Sequence, residues 1–120
     1  MLCHCDVRAD SRLRIIAKND SDWSSVTGDR VCTGDWHWIG CVVRRASSSS
    51  ASDGVVRIYI DGVMDKEATG IDNYDVFSEI DLLRIGNTGY SRAGFVADFD
   101  EIVMADRLVE LPLPAGKVWK

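Results

Sequence analysis

Apolar and polar residues alternate with a period of two over much of the chain, and helical spacing is almost absent. "RLRIIAK" (12–18) reads as a strand. The run after it, "NDSDWSSVTGDR" (19–30), is polar and rich in turn formers, and reads as a loop. "WHWIGCVVRR" (36–45) places Ile39, Cys41 and Val43 on one face and Trp38, Gly40 and Val42 on the other. Both faces are apolar, which predicts a central strand covered on both sides. "ASSSSASDG" (46–54) is too polar and too small to pack, and predicts a mobile hairpin loop.

"VVRIYIDG" (55–62) turns Val56, Ile58 and Ile60 inward and Val55, Arg57 and Tyr59 outward. Asp61-Gly62 marks a tight hairpin, because glycine tolerates positive φ, and "VMDKEAT" becomes the returning strand. "IDNYDVFSE" is a loop or a short edge strand, and "DLLRIGN" (81–87) is a further strand. "FVADFDEIVM" (95–104) is the last, and two prolines keep the tail "LPLPAGKVWK" out of any central strand. About six or seven strands separated by turn signals predict one all-β domain over residues 1–120, an antiparallel β-sandwich with an extended tail from about 109.

The last strand carries Asp98, Asp100 and Glu101. Strict alternation would put a carboxylate on each apolar face, and an unpaired buried carboxylate is expensive. A bulge within 99–102 removes the conflict: Phe95, Ala97 and Phe99 point inward, the phase shifts, and Ile102 and Met104 point inward again. The acids then mark the bulge and accept hydrogen bonds from backbone N–H groups it leaves unpaired.

Composition narrows the function. The chain has 120 residues, 46% hydrophobic and 28% charged, as in a globular domain. A net charge of -5 with no basic run argues against nucleic acid and anionic membrane surfaces. No apolar stretch is long enough to insert in a membrane. "MLCHCDVRAD" has no basic start followed by an apolar run, so the expectation is no signal peptide and synthesis in a cytoplasm, with later assembly into a virion compatible. The four cysteines, Cys3, Cys5, Cys32 and Cys41, are then expected to be reduced, with Cys41 in the core and Cys3 and Cys5 incidental. Their spacing, even with His4 or His37, is not that of a zinc site.

The remaining chemistry is sparse. Asp72, Asn73 and Asp75 offer oxygens that suit Ca2+, as do Asn19, Asp20 and Asp22, but neither run has the pattern of a calcium loop, and both read as solvated turns. No cofactor is expected. His37 lacks a nucleophile in a recognisable context and reads as a hydrogen-bonded strand residue. Trp36 and Trp38 read as core and interlayer cover. Trp23 in its polar run reads as an exposed platform, with Tyr59 a further binding residue and Trp119 a contact for a partner chain.

"GDWHWIGCVV", "VRIYIDGVMD", "LLRIGN" and "AGFVADFDEIVMADRL", in that order, resemble the laminin-G-like branch of the concanavalin A-like lectin/glucanase superfamily over residues 34–108. Ala97 stands where that pattern has glycine. The resemblance implies a jelly roll of two curved antiparallel sheets, abbreviated at its N-terminus. Glucanases of the superfamily carry E-x-D-x-x-E on one strand. Here Asp98 and Glu101 match the second and third acids, while Val96 occupies the nucleophile's position. Double displacement fails without that group. The expectation is a non-catalytic binding or assembly module whose ligand is a partner protein, a second copy or a glycan, such as a structural component of a phage particle. A degenerate glycosidase is the alternative.

Overall fold

A computed structural model describes residues 3–19, 22–32, 34–74, 98, 102 and 103. Among them run six strands: β1 (Cys3–Val7), β2 (Arg12–Lys18), β3 (Trp23–Val31), β4 (Ile39–Arg44), β5 (Gly54–Ile60) and β6 (Val63–Ile71). They form two antiparallel sheets, ordered β1-β2-β3 and β4-β5-β6. No helix among the described residues is long and apolar enough to cross a membrane.

The core lies between the sheets. Along β2 the alternation of Leu13, Ile15 and Ala17 sends every second side chain inward, and along β5 Val56, Ile58 and Ile60 do the same. With Val26 of β3 they form one buried cluster. Each large aliphatic side chain there contributes about 1.5–3 kcal/mol of burial. The expected inward set of β5 is therefore observed.

Two strands differ from their sequence reading. The polar run 19–30 is largely strand β3, not a loop. Of that strand only Val26 and Gly28 are buried, so its apolar signature is one residue long. Its hold on the opposite sheet is polar instead. Asp65 of β6 accepts hydrogen bonds from the backbone N–H groups of Asp29 and Arg30, at 3.0 Å each. A Cβ at Gly28 would overlap Asp65 Oδ2, so glycine there lets the carboxylate reach these N–H groups. Cys3–Val7, which include the two cysteines read as incidental, form β1, which pairs with β2 through Cys5↔Ile15 and Val7↔Leu13.

β4 is shorter than expected and is not covered on both faces. Among the described residues it pairs with β5 alone, and Ile39 and Cys41 are exposed. Among its inward positions Val43 packs against the core. β5, the middle strand, is instead buried at every position but Arg57, and Val55 and Tyr59, read as outward, are 7% and 6% exposed. Gly40 stands opposite Tyr59.

The serine-rich connection between β4 and β5 is bonded rather than loose. Ser47 N–H donates to Asp53 Oδ1 (2.7 Å) and Arg44 Nη2 to the Asp53 carbonyl (2.9 Å). At the other end of β5 the hairpin is as read: Asp61 and Gly62 have φ of 55° and 80°. Positive φ at both central residues twists the turn in the sense that the strands require.

Candidate functional site

The β5–β6 turn organises one end of the sandwich. Asp61 tolerates the left-handed conformation, and that conformation aims its carboxylate at the segment before β4. Asp61 Oδ2 lies 3.0 Å from His37 Nδ1 and 2.9 Å from Arg30 Nη2, and Oδ1 accepts the Trp38 N–H at 3.2 Å. The Asp61 N–H in turn donates to the Trp38 carbonyl at 2.8 Å. An ionised carboxylate only accepts, so His37 Nδ1 carries the proton. Burial raises the Asp61 pKa, but the His37 hydrogen bond, the Trp38 N–H and the charges of His37 and Arg30 outweigh it and hold the carboxyl below its ordinary 3.8. His37 is thus hydrogen-bonded, as the sequence implied, but it precedes β4 rather than lying in a strand.

Pinned in this way, the chain presents apolar side chains outward. Trp36 is 72% exposed, against the expectation that it joins the core, and Ile39, Val63 and Met64 are exposed around the same turn. Trp38 is half-buried. The rim carries both signs: Arg30 beside Asp61, the pair Asp29–Lys66 at 3.0 Å, and exposed Asp35. Sequence reasoning missed this surface. The Asp-Gly signal located the turn, but nothing local tells that its carboxylate reaches back to residues 37 and 38.

The opposite end gathers two of the residues singled out from sequence. Trp23 opens β3 and is 53% exposed, so it is a platform on a strand rather than in a loop. Lys18 Nζ stands 5.4 Å from its ring centroid and covers one face. Asn19 donates to Asp72 Oδ2 at 2.9 Å, and its own side-chain oxygen accepts the Asp22 N–H. The two Asx runs therefore meet here.

Asn73 is not available to a ligand. It is 1% exposed, its Oδ1 accepts the Ala46 N–H at 2.7 Å, and its Nδ2 donates to the Arg44 carbonyl at 3.3 Å. It is a structural staple between β6 and the end of β4. Tyr59 is likewise excluded as a binding residue by its burial. Among the described residues no three His, Cys, Asp or Glu side chains gather as a metal site.

Asp98 is exposed. Ile102, expected to point inward, is 54% exposed, and Val103 is 57% exposed. Asp75, Val96, Asp100, Glu101 and Trp119 lie outside the described residues, as do the tail and the greater part of the expected bulge.

Two antiparallel sheets packed face to face around a common core define the molecule as an all-β sandwich. Residues 3–110 match the family model described as the concanavalin A-like lectin/glucanases superfamily, and the chain belongs to it. The match takes in β1–β3 ahead of the motifs that carry the resemblance. No curated protein and no solved structure matches the sequence.

Proposed function

We propose that this chain is a non-catalytic assembly module that associates with a second copy of itself through the surface around Trp36. The observation that carries this reading is the 72% exposure of Trp36, next in the chain to the two residues that Asp61 bonds, together with exposed Ile39 and Val63, which both pair with Ile60 at the same turn. An exposed tryptophan in an apolar cluster is typical of a contact surface. A rim with both signs suits a two-fold contact, in which each charge meets its opposite on the other copy. A structural component of a larger assembly, a virus particle included, fits such a module. The lack of catalysis rests on Val96 at the position of the glucanase nucleophile.

Light scattering of the full chain at micromolar concentration tests it. Association that is lost in Trp36→Ser, with the fold intact by circular dichroism, supports the proposal. A single-chain mass throughout the concentration range refutes it.

A second reading, glycan binding, is favoured by the other end. There the Trp23 ring is exposed with Lys18 over one face, and the Asn19–Asp72 hydrogen bond joins the two polar runs at the same end, a stacking face with polar groups available. A glycan array probed with the wild type and with Trp23→Ala separates this reading from the first.

A further inference from the structure

The long sides of the sandwich are closed differently. Along β3 and β6 the sheets are stitched by the Asp65 carboxylate on two N–H groups of β3 and by the Asp29–Lys66 pair. On the other side lie the outer strands of the described sheets, β1 and β4. Cys5 stands opposite Ile15 and Cys41 opposite Ile58, and both isoleucines point into the core. Residues directly opposite in an antiparallel pair share a face. Cys5 and Cys41 therefore point toward each other across the gap between the sheets, and their sulfurs are 3.1 Å apart. Both residues are exposed, so a small reagent reaches them.

We propose that Cys5 and Cys41 are a redox pair that closes into an intrachain disulfide and ties the two sheets together along their β1–β4 side. Closure needs the sulfurs to approach by about 1 Å, to the 2.03–2.05 Å of the bond. The oxidant is a small-molecule disulfide such as oxidised glutathione. The Cys41 thiolate attacks one of its sulfurs and releases one glutathione thiolate. The Cys5 sulfur then attacks the mixed disulfide at Cys41 and releases the second. Two cysteine thiols and one glutathione disulfide become one protein disulfide and two glutathione thiols, with the two protons passing to the products. The neighbouring Cys41 sulfur, desolvation and the Asp6 carboxylate push the Cys5 thiol up, so the first attack falls to Cys41, and Cys5 gives up its proton to attack the mixed disulfide. Reduced thiols, the expectation from sequence, are then one of two states of the pair.

The test is an equilibration of the full chain in glutathione buffers from reducing to oxidising, followed by intact mass, thiol titration and thermal melting. A variant with Cys3→Ser and Cys32→Ser keeps only the pair, and in the wild type fragmentation of the cross-linked peptides assigns the bond. The expected result is a loss of two thiols and about 2 Da per chain, a Cys5–Cys41 linkage and a rise in Tm of roughly 10 °C for a loop of this length. Cys5→Ser and Cys41→Ser should each abolish the rise. Retention of all thiols under oxidising conditions, a linkage through Cys3 or Cys32, a bond between chains, or closure with no change in Tm would each overturn the proposal.

Discussion

Replacing Asp61 separates the charge of its carboxylate from its hydrogen bonds. Asp61→Ala leaves the Trp38 N–H without its Asp61 acceptor, removes one hydrogen-bond partner of His37, and puts a residue that disfavours φ of 55° at the head of the turn. An orphaned N–H costs about 1–3 kcal/mol, a lost net hydrogen bond about 1, and the left-handed conformation up to about 1 more for alanine. Arg30 is 44% exposed on its side chain, so its ion pair adds little. Together these give a loss of about 3 kcal/mol. Asp61→Asn keeps an acceptor oxygen for Trp38 and suits the turn, and should lose about 1 kcal/mol. Both variants also lose the pH dependence that the carboxyl gives the wild type. The folded carboxyl titrates below its ordinary 3.8, so the unfolded chain binds the proton first as pH falls. The resulting stability is present above 3.8, and is lost as pH drops through that value toward the folded one. Urea midpoints measured at about pH 7 and about pH 3 should show this component in the wild type and not in Asp61→Asn. An alanine variant within about 1 kcal/mol of wild type, or an asparagine variant as damaged as the alanine one, would refute the reasoning.

Ile58 is fully buried at the centre of the cluster, so Ile58→Ala should lose about 2–5 kcal/mol in the same denaturation assay. Gly28→Ala should lose about 1–3 kcal/mol by displacing Asp65 from the N–H groups of Asp29 and Arg30, and amide exchange at those two residues should accelerate. β-Glucans should not be hydrolysed. Turnover in a reducing-sugar assay that disappears in Glu101→Gln would overturn the non-catalytic reading.

What was legible in the sequence follows the range of the interactions involved. β2, β5 and the Asp61-Gly62 hairpin are set by alternation and by turn chemistry within a few residues, and both are visible along the chain. β3 was not legible, because its inward positions are Val26 and a glycine whose space is taken by Asp65, a residue of another strand. The double-faced burial of β5 and the exposure of β4 depend on sheet order, which alternation does not encode. At the candidate site, Trp23 was found as an exposed aromatic, whereas the exposed Trp36 was assigned to the core because its WHW run precedes an apolar strand. Its exposure comes from the hold of Asp61 on residues 37 and 38. Asn73 was read as part of a solvated turn with candidate ligand oxygens, because an Asx residue in a turn looks the same whether its amide faces solvent or, as here, Ala46 and Arg44.

The most direct test of the proposed assembly role is the solution mass of the unmodified chain by sedimentation velocity over a micromolar concentration series, under reducing conditions so that no disulfide links two chains. The account predicts a concentration-dependent species of two chains, shifted to one chain by Trp36→Ser and left unchanged by Trp23→Ala. A wild-type protein that sediments as one chain at every concentration would contradict it.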